Sequence, residues 1–121
     1  MQLAPVPAAT ILMLRDGPDG LEVFMVVRHH QIDFASGALV FPGGKVDEGD
    51  FGIGHRCRGT EATDEKEIAM MAGAIREAFE ECGILLARPR GSEALVDQRR
   101  LAALEHYRAS LNSGDVKLHD F

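Results

Sequence analysis

The sequence predicts a single α/β domain, because two apolar runs joined by a turn precede one long amphipathic helix. The runs, residues 8–15 and 21–28, flank a segment rich in Gly and Pro, which is typical of a β-hairpin. Apolar side chains between residues 68 and 82 recur at the 3.6-residue period of a helix. A chain of 121 residues is long enough for one domain with a modest core.

Composition narrows the class of partner. The net charge of −6 and the lack of a basic stripe argue against electrostatic binding of nucleic acid. Small phosphorylated substrates stay compatible with this charge, because a local Arg, Lys or metal ion opposes the overall sign. The uncharged stretch 1–14 is too short to cross a bilayer, so no membrane partner is expected. Cys57 and Cys82 do not suggest a disulfide framework, which favours a reducing, cytoplasmic location.

Short strands are predicted in the N-terminal half. Residues 8–15 form a buried strand, and residues 21–28 form a second strand that pairs with it across the turn at 16–20. A polar loop, 29–37, leads to a short strand at 38–41. That strand ends at a Pro-Gly-Gly sequence, whose glycines allow the backbone to approach a ligand closely.

The amphipathic helix is predicted to begin after an irregular loop at residues 51–63. Asp64, with Glu67 three residues later, matches a capping box. The core-facing stripe consists of Ile68, Met71, Ala72, Ile75, Phe79 and Cys82. The charged residues that fall off this stripe are Arg76, Glu77, Glu80 and Glu81. The stripe makes Cys82 a small buried hydrophobe rather than a nucleophile.

The remaining chain is predicted to add one strand and one helix. Residues 84–87 form the short strand, and Ser92 caps a helix that continues to about Leu111. An Asn-Ser-Gly sequence, residues 112–114, ends this helix. Residues 116–121 are expected to begin a further element.

The amphipathic helix ends in an acidic cluster. Glu77, Glu80 and Glu81 lie within two turns, where like charges at i,i+3 and i,i+4 repel by roughly a few tenths of a kcal/mol per pair. A cation that takes several oxygen ligands converts that repulsion into binding free energy, which suits Mg²⁺ or Mn²⁺ rather than zinc. Such an ion would neutralise a diphosphate and lower the pKa of an attacking water. A solvated acidic face without a metal is the alternative interpretation.

Two segments, FPGGKVD at residues 41–47 and REAFEECGI at residues 76–84, resemble the two halves of the Nudix box, G-x5-E-x7-R-E-U-x-E-E-x-G-U, where U is aliphatic. The second half matches with a small residue at its first U position. The first half matches at Gly44, whereas Asp50 stands at the position of its Glu. Residues 51–75 separate the halves by 25 positions where the box has seven, so that 18 residues are inserted.

The resemblance implies roles for the site residues. The implied metal ligands and catalytic carboxylates are Glu77, Glu80 and Glu81. The Gly43 carbonyl is an implied additional metal ligand, and Arg76 is the implied catalytic-site partner that orients the carboxylates. In the family, the Glu at the position of Asp50 braces this Arg. The shorter Asp side chain and the insertion that follows it weigh against the same contact here.

A second resemblance concerns the substrate. Nudix hydrolases of coenzyme A carry R-S-x3-R-x3-G-x3-F-P-G-G ahead of the box. Arg28, Gly37 and Gly44 fall at the matching spacings and are the implied substrate-binding residues. His29 replaces the Ser, and Asp33 replaces the second Arg, so that a phosphate partner becomes a repelling charge. The insertion within the box is similar to that of the long-insert branch, which is linked with acyl-CoA diphosphate cleavage.

The family fold implies an α/β/α sandwich with a mixed sheet, of which this chain is expected to hold only the N-terminal portion. Residues 1–121 are interpreted as one domain that is incomplete at its C-terminal end, with the insertion at about 51–66. Further strands are needed after the catalytic helix, and only residues 84–87 and 116–121 offer them. An exposed sheet edge and an open apolar core would favour a homodimer.

The resemblance predicts a divalent-metal-dependent hydrolase, a Nudix-type diphosphatase. Its small-molecule substrate would be a nucleoside diphosphate derivative such as CoA or acyl-CoA. ADP-ribose, a dinucleotide or a nucleoside triphosphate are alternative substrates within the same class. A catalytically silent Nudix-fold module that binds a nucleotide is the alternative from another class, because fold does not imply function.

Overall fold

A helix of 18 residues, α1 (Glu65–Cys82), organises the fold. The computed structural model describes residues 4–27 and 37–121. Asp64 caps the N-terminus of α1 by accepting a hydrogen bond from a backbone N–H of the first turn, and Gly83 ends the helix in the left-handed conformation at φ 70°. The predicted helix and both of its ends are therefore confirmed.

The described strands form two-stranded antiparallel pairs. In chain order they are β1 (Ala8–Thr10), β2 (Leu14–Gly17), β3 (Gly20–Val23), β4 (Val26–Val27), β5 (Leu39–Val40) and β6 (Gly43–Lys45). β1 pairs with β6, β2 with β3, and β4 with β5. Strands beside a packed helix confirm the predicted α/β class.

Both long predicted strands are divided in the structure. The run at 8–15 becomes β1 and β2, because its first part pairs with β6 and its second part pairs with β3. The run at 21–28 becomes β3 and β4 over its described residues, and these strands also have different partners. The hairpin predicted across residues 16–20 is confirmed as β2–β3.

The prediction of a strand at residues 84–87 is wrong. These residues have irregular backbone, and the Ala87 carbonyl accepts its hydrogen bond from the Val96 N–H at 2.9 Å. Ile84 is occupied in closing the end of α1, since its N–H bonds to the Ala78 carbonyl at 3.4 Å. A residue that completes a helix end is not available for a strand ladder.

The single helix predicted from Ser92 to Leu111 is also wrong. Ser92 closes a local turn instead, because its hydroxyl accepts from the Ala94 N–H at 3.1 Å. The segment contains two short helices, α2 (Gln98–Leu104) and α3 (Tyr107–Ser113). Gly114 ends α3 at φ 84°, which confirms the predicted stop.

The core lies between α1, the β1–β6 pair and the C-terminal segment. Phe79 is fully buried, and its ring stacks on Phe121 with the ring centroids 5.4 Å apart. Tyr107 of α3 meets the same Phe121 ring edge-on at 5.1 Å. The buried apolar side chains are Ile53, Ala69, Ala72, Ala74, Ala78, Phe79 and Leu111.

Several large apolar side chains remain exposed. Met71, predicted to face the core, is 38% exposed and lines an open groove together with β1 and Met70. Leu14, Leu21 and Val23 are exposed on the β2–β3 hairpin. Within residues 4–27 and 37–121, none of the helices has the length and hydropathy that a bilayer crossing requires.

Candidate functional site

Arg76 lies at the centre of the candidate site. Its Nε donates to Asp50 Oδ1 at 2.8 Å, and its Nη2 donates to Asp50 Oδ2 at 3.1 Å. Its Nη1 donates to Glu77 Oε1 and to Glu80 Oε1, each at 3.1 Å. Nη2 also donates to the Lys45 carbonyl of β6 at 2.9 Å. One guanidinium therefore ties α1 to β6 and to the segment that carries Asp50.

The side chain of Arg76 is almost completely buried, at 6% exposure, contrary to the prediction that it lies off the core-facing stripe. Burial opposes a charged group, but the hydrogen bonds and negative charge of Asp50, followed by those of Glu80, raise the pKa of Arg76 above its ordinary value. The guanidinium is thus held charged inside the protein by its carboxylate partners. The side chain of Glu80, which pairs with this guanidinium, is also only 6% exposed.

Asp50 braces Arg76. This contact corrects the expectation from the sequence that an Asp side chain is too short to make it. It ends a 3₁₀ turn (Glu48–Asp50), and its Oδ2 also accepts from the Asp47 N–H at 2.7 Å. The close approach depends on Gly73 of α1, where a Cβ would lie 2.8 Å from Asp50 Oδ2. A missing side chain on the helix therefore compensates for a shorter acid on the turn.

The two glycines of β6 bring the strand backbone against the acidic cluster. Gly43 lies opposite Thr10 between two pairs that carry the ladder hydrogen bonds, so its N–H and C=O point away from β1. The Gly43 N–H faces the Glu81 carboxylate and acts to lower the pKa of that group. At Gly44 a Cβ would lie 2.5 Å from Glu77 Oε1, so only glycine leaves room for that carboxylate.

Glu77 and Glu81 lie one helical turn apart, and a proton shared between the two acids would relieve their repulsion. Partial burial, then the hydrogen bond and charge of Glu77, raise the pKa of Glu81 to about 7, against the opposing effect of the Gly43 N–H. Burial also raises the pKa of Glu80, although the charge of Arg76 opposes that rise. A cation placed between Glu77 and Glu81 would replace the shared proton.

The oxygen donors of the site suit a hard divalent cation, but their present arrangement is not that of a complete metal site. Gly44 lets the Glu77 carboxylate lie directly against the strand backbone. However, no three His, Cys, Asp or Glu side chains among the described residues are arranged as a metal site. Glu80 is directed to Arg76, although each of its oxygens keeps a lone pair beyond that contact. Glu77 and Glu81 are therefore the residues best placed to bind the ion.

The structure brings most of the predicted site residues together. The residues that meet between α1 and β6 are Gly43, Gly44, Arg76, Glu77, Glu80 and Glu81. Gly37 stands apart from this cluster, ahead of β5, at φ 82°, a conformation that favours glycine. Arg28, with His29 and Asp33 of the same motif, lies outside the described residues.

Two residues that shape the site were not predicted. Gly73 carried a usable signal, because a glycine inside a helix costs about 1 kcal/mol relative to alanine and therefore indicates a packing reason. Arg108 of α3 carried none, since its contacts with the Glu80 carbonyl, at 3.1 and 3.3 Å, join residues 28 positions apart. Only the tertiary structure reveals that pair.

The chain is similar to the crystal structure of a Nudix hydrolase from Alicyclobacillus acidocaldarius, with 33% sequence identity and a TM-score of 0.77. The match covers 94% of this chain and 51% of that protein, so the chain spans about half the length of the structure it matches. No protein-family model matches the chain. The similarity confirms the fold class and supports the Nudix family.

Proposed function

We propose that this chain carries the catalytic helix of a Nudix hydrolase that requires a divalent metal and cleaves the diphosphate bond of a nucleoside diphosphate derivative. The observation that supports this function best is the placement of Glu77 and Glu81 against the Gly43–Gly44 backbone, with Arg76 fixed behind them. The similarity to a Nudix hydrolase structure supports the same reaction class.

Each site residue has a distinct task in this proposal. The residues that would hold Mg²⁺ or Mn²⁺ are Gly43, through its carbonyl, and Glu77, Glu80 and Glu81. When bound, the ion supplies charge that neutralises the diphosphate and lowers the pKa of a water molecule. Arg76 orients Glu77 and Glu80 through its Nη1 hydrogen bonds of 3.1 Å. Asp50 keeps that guanidinium in place from the buried side.

CoA or an acyl-CoA is the substrate we propose first. The support is the spacing of Arg28, Gly37 and Gly44 in the sequence, together with the insertion between the halves of the box. The positive φ of Gly37 gives a structural reason for glycine at that position. ADP-ribose, a dinucleotide and a nucleoside triphosphate belong to the same reaction class and are discriminated by their products.

A substrate panel with Mg²⁺ and Mn²⁺ tests the proposed function on the natural full-length protein. Products are separated by chromatography, and CoA cleavage should release 4′-phosphopantetheine and adenosine 3′,5′-bisphosphate. Glu80→Gln and Glu81→Gln should each lower turnover by roughly two orders of magnitude or more while the protein stays folded. Glu67→Gln, in the exposed first turn of α1, is the matched control and should keep full activity.

The panel also separates the alternatives. Unchanged rates in both Glu80→Gln and Glu81→Gln would refute the site assignment. Tight binding of a nucleotide without any metal-dependent product would favour a catalytically silent Nudix-fold module. Hydrolysis of ADP-ribose but not of CoA would retain the reaction class and reject the CoA assignment.

A further inference from the structure

The last turn of α1 carries negative charge that its own helix offsets only in part, through the hydrogen bonds of Arg76 to Glu80. Glu80 and Glu81 lie at the C-terminal end, where the helix dipole already presents partial negative charge. The last turn of α1 contains no basic residue to offset them. The same end has backbone carbonyls that lack a partner within the helix. A cationic side chain from another element could both offset the negative charge and donate hydrogen bonds to these carbonyls.

Two of the terminal carbonyls are satisfied by the chain that follows α1. The Gly83 N–H donates to the Phe79 carbonyl at 2.9 Å, and the Ile84 N–H donates to the Ala78 carbonyl at 3.4 Å. The Glu80 carbonyl is satisfied from a different element. Arg108 of α3 donates to it from Nε at 3.3 Å and from Nη2 at 3.1 Å.

The guanidinium of Arg108 is itself held in place. Its Nη1 donates to Glu105 Oε1 at 2.5 Å, and a Cβ at Gly83 would lie 3.2 Å from the same Nη1. Its side chain is 30% exposed, so part of its charge is shielded from solvent. A planar fork that offers two N–H groups to one carbonyl is specific to arginine, because lysine presents a single point of charge.

We propose that Arg108 is a positioning residue that fixes the last turn of α1 and so holds Glu80 and Glu81 in register with β6. It acts through the Glu80 carbonyl and by opposing the negative charge at the helix end. Only the metal-related part of this inference rests on the proposed function. Arg108 is not assigned any contact with substrate.

Three variants of the natural full-length protein test the inference. Arg108→Gln removes the charge and leaves one donor nitrogen in place of three, and Arg108→Lys keeps the charge without the fork. Arg100→Gln is the matched control, because Arg100 is an exposed residue of α2 whose backbone N–H, rather than its side chain, contacts Asp97. Each variant is compared with the wild type in two measurements.

Hydrogen exchange of the Gly83 and Ile84 amides in metal-free protein is the first measurement, and it does not depend on the proposed function. Both amides should exchange roughly tenfold faster in Arg108→Gln, because the helix end opens more often. Arg100→Gln should match the wild type. Unchanged exchange in Arg108→Gln would overturn the inference.

Calorimetric titration with Mn²⁺ is the second measurement. Loss of an outer contact that orients metal ligands lowers metal affinity by roughly 10-fold to 100-fold, so Arg108→Gln should lose about tenfold and Arg108→Lys less. Faster exchange with unchanged Mn²⁺ affinity would show a merely structural role and overturn the positioning of the carboxylates. If the wild type neither binds Mn²⁺ nor hydrolyses any substrate, the proposed function fails, and the exchange rates alone decide whether Arg108 holds the helix end.

Discussion

The ion pair of Arg76 with Asp50 fixes the geometry on which the whole site depends. Both side chains are buried, with 6% and 0% exposure, and two hydrogen bonds join them. A buried pair is weak support for stability by itself, because desolvation opposes its Coulomb attraction. Breaking it is costly, however, because the remaining charge is left buried without a partner.

Replacing Asp50 should therefore destabilise the protein strongly. We expect Asp50→Asn to lower the free energy of unfolding by about 3–5 kcal/mol, measured by urea denaturation. Glu48→Gln is the control, because it also removes one carboxylate from this 3₁₀ turn, but at an exposed position. That change should cost no more than about 1 kcal/mol. Equal losses in the two variants would contradict the bracing role of Asp50.

Gly73→Ala should destabilise the protein although alanine is the better helix former. Helix propensity alone favours the change by about 1 kcal/mol. The new Cβ would lie 2.8 Å from Asp50 Oδ2, which Arg76 and the Asp47 N–H hold in place. We expect a lower melting temperature and a weaker metal affinity. A higher melting temperature would mean that Asp50 moves freely and that the packing argument fails.

The site forms where α1 faces β6. The sequence predicts α1, but it predicts a strand that ends at the Pro-Gly-Gly sequence rather than the strand β6 that contains Gly43 and Gly44. The acidic cluster, the start of α1 and its stop at Gly83 follow from local rules of periodicity and capping. The splitting of the run 8–15 and the two helices within 92–111 do not, because each depends on a partner distant in sequence. The burial of Asp50 likewise depends on its close approach to Gly73, and the spacing of residues in the sequence does not predict that contact.

The partial burial of Glu81, together with its neighbour Glu77, gives the metal-free protein a specific pH dependence. The pKa of Glu81 is raised from 4.5 to about 7 in the folded state, so the folded protein binds the proton more tightly than the unfolded chain does. The contribution of this group to the free energy of unfolding should fall as the pH rises from about 4.5 to about 7. Urea denaturation with a chelator present measures the slope, and Glu81→Gln should reduce it.

A divalent cation should reverse this trend. Because it replaces the proton, added Mn²⁺ should raise the melting temperature more at pH 8 than at pH 5. An equal rise at both pH values, or the same slope in Glu81→Gln as in the wild type, would show that the shared proton lies elsewhere.

Taken as a molecule, the chain exposes apolar surface that a folded domain normally covers. Leu14, Leu21 and Val23 lie on one face of the β2–β3 hairpin, at 59%, 71% and 41% exposure, while Arg15 and Glu22 pair on the other face. The chain spans about half the length of the Nudix hydrolase it resembles. Contact of this face with a second copy, as a homodimer, is one proposal that would cover it.

The 121-residue chain should therefore self-associate through this apolar face. Leu21→Lys should lower both the apparent mass in sedimentation velocity and the binding of an apolar dye. Arg15→Gln changes the opposite face of the hairpin and should leave both quantities unchanged. A monomer at all concentrations in the wild type would contradict the homodimer proposal.

Binding of a divalent cation by the end of α1 and β6 is the central claim, and calorimetric titration of Mn²⁺ into the natural full-length protein tests it most directly. We expect saturable binding in the wild type and in the control Glu67→Gln, and an affinity at least roughly tenfold weaker when Glu77→Gln and Glu81→Gln are combined. Identical isotherms for the wild type and the double variant would contradict the claim.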